Sequence, residues 1–476
     1  MPLPTIREAY TKMFSICGRL IVGFFFALFA SYNLADGHAK RWLAGDHHIH
    51  SWYSVGYDYE QDPPKPERGG DAVYQITTNN IMAKHYGLTW TVVTDHGGPN
   101  HSEVNRLWAY PELLTSRKAL PDMVQFFGME INSPGADHAS LIIPYSDVER
   151  DQLADLERRF DRRESWPDDR SRNNPSIMLE ALNYMSEQEH PPVVIANHPS
   201  RSMLIPGNYG LYDPAELRAW NDAAPNVAIG MAGAPGHQAA QLVKFARGAY
   251  RAQPTLGGFD QMTAILGGFW DSMLAEGRHF WITANSASHI PYTQGGIEFW
   301  PGEYSTTYVY AESNPADILA ALRGGRIFVT TGDLISELYV DVSTEQGSAM
   351  IGGSLTDNRY PLEVTVRIRL RDPEGNNPYG TNPSVHHVDL IKGSITGSVT
   401  DPKTDSHEAM VEKRFNRRHW RRDGELISMA HKLSIEGPTY FRVRGTNTQE
   451  KEPKPDPLEE NPWEDLWFYS NPVFVR

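Results

Sequence analysis

Short apolar runs, separated by polar segments of helical length, recur through the first two thirds of the chain. They are rich in β-branched and aromatic residues, which favour strands. The clearest runs are 90–93, 123–127, 139–143, 193–196 and 279–283. Strands that alternate with helical segments are typical of a parallel sheet or barrel. We therefore predict an α/β fold for this part of the chain.

Beyond about residue 332 the pattern changes to strict alternation of apolar and polar positions. Runs of this kind occupy 337–342, 362–368, 387–391, 439–444 and 472–475. Alternation with period two indicates strands that bury one face and expose the other, which is usual in antiparallel sheets. We predict a C-terminal antiparallel domain, similar to a β-sandwich, over residues 333–476.

A short apolar stretch at 20–30 precedes both regions, with Arg7, Lys12 and Arg19 ahead of it. It is too short to span a bilayer, and small residues at 37 and 39 could form a cleavage site. These features predict a signal peptide over residues 1–39 and a periplasmic or secreted protein. An uncleaved membrane anchor is the alternative.

Composition narrows the possible partners. The 476 residues include 44 Lys and Arg against 59 Asp and Glu, for a formal net charge of -15. Because the chain has no basic excess, we expect no nucleic-acid partner and no stable membrane insertion after signal cleavage. A small-molecule substrate is the better expectation. The single cysteine, Cys17, precedes the apolar stretch, so a metal site in the mature chain would use nitrogen and oxygen ligands.

Two histidines one residue apart, His48 and His50, follow an apolar segment at the start of the predicted domain. On an extended strand alternate side chains share a face, so both imidazoles would point the same way and could hold one cation. A pair of ordinary polar histidines in a loop is the alternative.

Further candidate ligands stand at or near the ends of later strand-like runs. They are Asp95 and His96, Glu130, His138, His198, and His289. Active sites of βα barrels collect at the carboxyl ends of their strands. The positions are therefore consistent with one shared, polynuclear metal centre.

These residues lie in motifs that resemble those of the PHP (polymerase and histidinol phosphatase) superfamily of metal-dependent hydrolases. The resemblance covers about residues 44–330. The motifs are His48-x-His50, Thr94-Asp95-His96-Gly97, Gly128-Met129-Glu130, His138, Asn197-His198-Pro199 and the 285–289 run. The chain is most similar to the two-domain branch that includes carbaryl-type carbamate hydrolases, in which a β domain ends in a motif like Tyr469-Ser470-Asn471-Pro472.

The resemblance implies a distorted (β/α)7 barrel over residues 40–332 that holds two or three divalent ions, of Zn, Mn or Fe. It assigns one metal to His48, His50 and Glu130. Glu130 would bridge to a second metal, bound by His138 and His198, and His96 and His289 would belong to a third site. Asp95 would orient or join the metal shell, and Asp58 is a further possible contributor.

The chemistry that this implies is hydrolysis by a metal-bridged hydroxide, with a phosphoester as the first expectation. A carbamate, amide or carboxylic ester is the alternative substrate, since the same nucleophile attacks a carbonyl carbon. Arg201 could clamp a phosphate with its guanidinium, or it could be a surface residue of a loop.

One departure from the family pattern concerns catalysis. The family carries Asp-x-His in its last motif, where this chain has Ala287-Ser288-His289. A methyl group cannot bind a metal or deliver a proton. An engineered knock-out, a natural variant with another ligand, and an inactive metal- or ligand-binding pseudoenzyme all remain open. An isolated substitution in a working hydrolase is our preferred interpretation. The other histidines are expected to be surface or satisfied core residues, with His237 as a possible substrate contact.

Overall fold

The computed structural model describes residues 39–201, 209, 211–236, 250, 253–457 and 460–476. The predicted signal peptide, apart from its last residue, and His237 lie outside the described residues. Within these ranges no helix is both long enough and apolar enough to cross a bilayer.

The described part of the chain contains 22 strands in three sheets. The strands are β1 Arg41–Ile49, β2 Gly56–Asp58, β3 Lys65–Glu67, β4 Trp90–Val93, β5 Val124–Asn132, β6 His138–Ile143, β7 Val193–Ala196, β8 Ala228–Ala234, β9 Trp281–Ala284, β10 Ser305–Ala311, β11 Ile327–Thr331, β12 Glu337–Thr344, β13 Gly347–Met350, β14 Ser354–Leu355, β15 Leu362–Arg371, β16 His387–Ser394, β17 Ala409–Asn416, β18 Arg421–Asp423, β19 Leu426–Ile435, β20 Thr439–Thr446, β21 Trp467–Ser470 and β22 Val473–Val475.

Helices lie between the strands of the first two thirds of the chain, as the spacing of the apolar runs predicts. The α-helices are α1 Ile76–His85, α2 His101–Val104, α3 Tyr110–Ala119, α4 Glu149–Phe160, α5 Pro175–Ser186, α6 Pro214–Ala223, α7 Gln261–Ala264, α8 Phe269–Ala275 and α9 Pro315–Arg323. One π-helical turn, Asn105–Ala109, joins α2 to α3.

The largest sheet is mixed. Its strands follow the order β14-β22-β20-β21-β11-β10-β1-β4-β5-β6-β7-β8-β9, with β16 and β17 as a side branch. Four pairs are parallel: β1 with β4, β4 with β5, β7 with β8, and β8 with β9. Strand β6 is antiparallel to both of its neighbours, β5 and β7. Only residues 133–137 connect β5 to β6, which is too short for the crossover that a parallel pair needs. The α/β class is confirmed, but the sheet is not uniformly parallel.

The outer edge of β9 is completed by side chains. Asn471 Oδ1 accepts from the Ile282 N–H at 2.9 Å, and its Nδ2 donates to the Ile282 carbonyl at 3.1 Å. Thr307 Oγ1 accepts from the Ala284 N–H at 2.7 Å and donates to the Ala284 carbonyl at 2.6 Å. These bonds pair buried backbone groups that have no strand ladder on this side. They bring β9 next to β10 and to the segment that follows β21.

The C-terminal strands form a five-stranded antiparallel sheet, β13-β12-β15-β19-β18, and also extend the large sheet through β20, β21 and β22. In β12 the alternate residues Leu338, Val340 and Val342 are buried, as the alternating pattern predicts. Their core includes residues of the large sheet such as Phe328. The proposed boundary between residues 332 and 333 stays a prediction.

Candidate metal centre

Six histidines and one glutamate meet at one edge of the large sheet. His48 lies in β1, and the other histidines of the parallel strands follow the ends of β1, β4, β7 and β9. His138 begins β6, which is antiparallel, so the start of this strand lies at the same edge. The antiparallel strand β6 therefore contributes a histidine to the same edge as the parallel strands, from its start instead of its end. The seven residues are His48, His50, His96, Glu130, His138, His198 and His289.

The Glu130 carboxylate stands at the middle of this cluster. The glutamate is 1% exposed. Five imidazole nitrogens lie close to its two oxygens: from Oε1, His48 Nε2 at 3.1 Å and His198 Nε2 at 3.2 Å, and from Oε2, His96 Nδ1 at 2.9 Å, His138 Nδ1 at 3.3 Å and His50 Nε2 at 3.6 Å.

Imidazole nitrogens also face one another. The Nε2 atoms of His48 and His50 are 2.9 Å apart, and those of His96 and His289 are 3.4 Å apart. The rings of His50 and His289 stack with centroids 3.7 Å apart. Three groups have ligand atoms that all lie within 4.8 Å of one another: His50, His96 and His289; His48, His50 and Glu130; His96, Glu130 and His138.

These separations fit shared cations. Two ligands held at about 2.1 Å from one Zn²⁺, and about 90–110° apart, are themselves about 3.0–3.4 Å apart. The nitrogen to oxygen distances around Glu130 span 2.9–3.6 Å. The residue types are also suitable, because imidazole and carboxylate together bind Zn, Mn and Fe.

The outward-facing nitrogens of two ligands are held by hydrogen bonds. His289 Nδ1 donates to the Ala287 carbonyl at 2.9 Å, and His50 Nδ1 is 3.0 Å from Ser54 Oγ. Bonds of this kind fix the orientation of the ring, and they are the usual second contact of a metal-binding histidine. Donation from Nδ1 leaves the Nε2 lone pair of His289 directed toward the cluster.

Asp95 does not contact the cluster directly but is linked to it through Ser54. Its carboxylate accepts from the Ser51 N–H at 2.6 Å and from Ser51 Oγ at 2.8 Å. It also accepts from Ser54 Oγ at 3.0 Å, which links it to His50. Burial raises the pKa of Asp95, although these hydrogen bonds oppose the effect. Asp95 therefore orients His50 through Ser54.

Arg201 lies beside the cluster and is joined to it through Asp137. Its Nη2 is 3.1 Å and 3.3 Å from the two oxygens of Asp137. Asp137 in turn lies 3.6 Å from Nδ1 of His198 and 3.9 Å from Nε2 of His138. Sequence reasoning missed Asp137, which directly precedes a predicted ligand in a short connection.

Asp71 is a second carboxylate that sequence reasoning missed. Its Oδ2 is 3.2 Å from Nε2 of His96 and 3.8 Å from Nε2 of His289. Asp58, the expected contributor, lies instead on the surface strand β2, where it accepts from Glu60 and Gln61. Asp71 stands in a loop with no regular spacing to the histidines, so no sequence signal points to it.

Asp46 ties the first histidine motif to the last one. Its carboxylate accepts from the His48 N–H at 2.9 Å and from the Ser286 N–H at 3.0 Å. Burial raises the pKa of Asp46 to about 7, against the opposing effect of these bonds. Asn197, beside His198, donates its Nδ2 to Glu130 Oε1 at 2.9 Å.

The protonation states of His50, His198 and Glu130 suit cation binding, whereas His96 must release a proton before it can bind a metal. Burial lowers the pKa of His198 to about 3, and burial with the neighbouring His289 and His96 lowers that of His50 well below its ordinary value. Burial would raise the pKa of Glu130, but the surrounding imidazoles hold it well below its usual range. Burial also lowers the pKa of His96, but Glu130 and Asp71 outweigh this and raise it to about 10.

Ala287 is fully buried next to the cluster and has a backbone φ of +47°. Left-handed backbone is uncommon for alanine, whereas aspartate and asparagine adopt it more readily. The backbone at position 287, where the superfamily that the sequence resembles carries Asp, therefore suits Asp better than Ala.

The structure thus brings together every residue predicted as a metal ligand. Arg201 is linked to this cluster through Asp137, and Asp95 is linked to it through Ser54. Ala287 contacts the cluster through the hydrogen bond from His289. The structure adds Asp46, Asp71, Asp137 and Asn197. Comparison with known proteins finds no matching family model and no matching curated protein.

Proposed function

We propose that this chain is an exported, metal-dependent hydrolase of the PHP type that cleaves phosphoesters of a small molecule. The observation that carries the proposal is the convergence of five imidazoles on the buried carboxylate of Glu130, with the sixth, that of His289, next to His96. Without cations, such a cluster places lone pairs against one another in a buried space, which is costly.

The proposed fold of this unit is the distorted PHP barrel. The strand order from β10 through β1 to β9, with β9 next to β10 by way of Thr307, supports a closed arrangement. The ligands then occupy the edge at which βα barrels carry their active sites.

Two or three divalent ions would fit the cluster. One would be held by His48, His50 and Glu130, and a second by Glu130, His138 and His198. A third would be held by His96, His289 and Asp71. Such ions supply a water molecule that is nucleophilic near neutral pH and neutralise charge that develops on the substrate.

The protein's own groups would position the ligands and the substrate. Glu130 is ionised and lies between the ligand sets, so it can bridge them. Asp95 and Ser54 hold the ring of His50, and Asp137 holds Arg201 against His198.

Arg201 favours a phosphoester as the substrate. Its side chain is a quarter exposed, and no described residue accepts a hydrogen bond from its Nε or Nη1. A guanidinium beside a metal cluster, with two nitrogens that no described residue engages, can bind two phosphate oxygens. A carbamate or a carboxylic ester offers no comparable anionic group.

The test is elemental analysis of the purified chain together with hydrolysis of aryl phosphomonoester, phosphodiester and carbamate panels. We expect two or more equivalents of metal and turnover of a phosphoester, with Arg201→Ala raising KM more than it lowers kcat. Arg163→Ala, at an exposed arginine, is the matched control. Absence of bound metal after incubation with Zn²⁺, Mn²⁺ or Fe²⁺ would contradict the proposal.

A second candidate is a protein that binds metal and ligand without turnover, and Ala287 favours it. This candidate requires that Ala287→Asp bind metal and remain inactive. The hydrolase proposal requires measurable turnover in the chain itself or in that variant, since Asp restores the family's ligand.

A further inference from the structure

A cavity lies at the edge of the large sheet opposite the metal centre. Its volume is about 240 Å³. Ala44, near the start of β1, and Gly87, before the start of β4, contribute to its wall. These positions mark the amino ends of strands whose carboxyl ends carry the histidines. The cavity is therefore separate from the proposed active site.

The wall combines aromatic rings with a single acidic side chain. Tyr86 and Tyr308 provide the rings, Ile335 and Pro383 provide further apolar surface, and Asp333 is the only charged residue among the described residues of the lining. In the described part of the chain no lysine or arginine lines the cavity.

The carboxylate of Asp333 has no counterion in the described part of the chain. No described residue forms a hydrogen bond or an ion pair with it, although it lies close enough to Tyr308 to affect that residue electrostatically. Burial alone raises the pKa of Asp333 to about 7. The residue is partly exposed, so water compensates the charge of its carboxylate only in part.

The backbone that carries this carboxylate forms a tight turn. Gly332 and Asp333 have φ values of +59° and +56°, and the Leu334 N–H donates to the Thr331 carbonyl at 3.2 Å. Two successive residues with positive φ form the tight turn that joins β11 to β12. A turn that fixes the backbone of Asp333 limits the conformational freedom that is lost when the cavity binds a ligand.

From these features we propose that this cavity binds a small organic ammonium ion. Asp333 would pair with the positive charge, and Tyr86 and Tyr308 would contact the alkyl groups around the nitrogen through their ring faces. A metal ion fits less well, because hard cations take several oxygen ligands and only one carboxylate is present. The inference is independent of the proposed hydrolase activity.

The test uses choline and its uncharged isostere 3,3-dimethyl-1-butanol as probes of the full chain, by calorimetry and by saturation-transfer NMR. We expect saturable binding of choline that is at least about tenfold tighter than binding of the isostere, since only choline carries the charge. Equal binding of the two probes, or no saturable binding of choline, would overturn the proposal.

The variant Asp333→Asn removes the charge and keeps a residue that tolerates positive φ, so the turn should persist. We expect it to weaken choline binding about tenfold or more and to leave the isostere unchanged. Asp423→Asn, on the exposed strand β18, is the matched control and should have no effect. Unchanged choline affinity in Asp333→Asn would contradict the proposal.

A second variant, Tyr86→Leu, keeps the apolar volume and removes one ring. It should weaken choline binding several-fold without altering binding of the isostere. If Asp333→Asn fails to fold by circular dichroism, this comparison decides the question: equal effects on both probes would contradict the proposal.

Discussion

The Nδ1 of His289 donates to the carbonyl of Ala287 at 2.9 Å, so the strained alanine directly orients a candidate ligand. Because Ala287 has a φ of +47°, glycine should relieve the strain at this position. We predict that Ala287→Gly stabilises the fold by up to about 1 kcal/mol. This figure is the conformational energy of alanine in the left-handed region minus the entropy that glycine adds to the unfolded chain.

Urea unfolding measures this difference. Ala284→Gly is the matched control, because Ala284 is equally buried but lies in the regular strand β9. It should destabilise the fold, by about 1 kcal/mol or more. Equal losses in the two variants would show that the backbone at position 287 carries no strain.

Glu130→Gln should abolish stabilisation by metal. A ligand at one hundred times its Kd stabilises the folded state by about 2.7 kcal/mol, so Zn²⁺ or Mn²⁺ should raise the Tm of the chelator-treated chain. The glutamine amide cannot bridge two cations, and the shift should disappear. Glu408→Gln, at an exposed position, should retain the full shift in the same thermal titration. A persistent shift in Glu130→Gln would remove Glu130 from the ligand set.

Stability should fall as the pH rises from about 6.5 to about 9, because of His101. Its Nδ1 lies 2.7 Å from Glu157 Oε1, and its Nε2 lies 2.7 Å from the Tyr53 carbonyl. Burial lowers the pKa of His101, but Glu157 outweighs it and raises that pKa to about 9. Since the ordinary value is about 6.5, the folded state binds this proton more tightly. The contribution is complete below pH 6.5 and is lost toward pH 9.

The size of this effect is about 3 kcal/mol, from the difference between the two pKa values. Urea unfolding at pH 6 and pH 9 measures it. In His101→Gln the slope between these pH values should become shallower by this amount, with the part due to His96 retained, whereas the exposed His85→Gln should keep the full slope. A wild-type chain with equal stability at both pH values would exclude a proton held by His101.

Asn471→Ala should destabilise the fold by about 2–4 kcal/mol. The variant leaves both the N–H and the carbonyl of Ile282 without their side-chain partner in a buried place. Chemical unfolding gives the free-energy difference, and Asn358→Ala, at an exposed position, is the control. A loss as small as that of the control would mean that water replaces the amide at this edge.

The fold class followed from the sequence because strand periodicity is a local property. The apolar run at 193–196 coincides with β7, and the alternation at 362–368 lies within β15. The antiparallel direction of β6 did not follow, although the short connection from Glu130 to His138 leaves no room for a crossover helix. Connection length was the available signal.

The candidate ligands were predictable for a related reason: strand ends converge, so His96 and His198 could be grouped without knowledge of their contacts. Asp71 and Asp137 could not, because each lies in an irregular connection whose path is set by tertiary packing. Their neighbours in the sequence carry no periodic pattern, and only the folded backbone brings them to the histidines.

The pairing of Asn471 with Ile282 also sets an order of events during synthesis. Domains commonly begin to fold as they emerge from the ribosome, with N-terminal parts first. Here, the backbone of the strand that leads to His289 acquires its last partners from a residue made nearly two hundred positions later. The backbone of Ile282 therefore acquires these hydrogen bonds only after the C-terminal segment has been made. A nascent chain that ends before Asn471 would lack them.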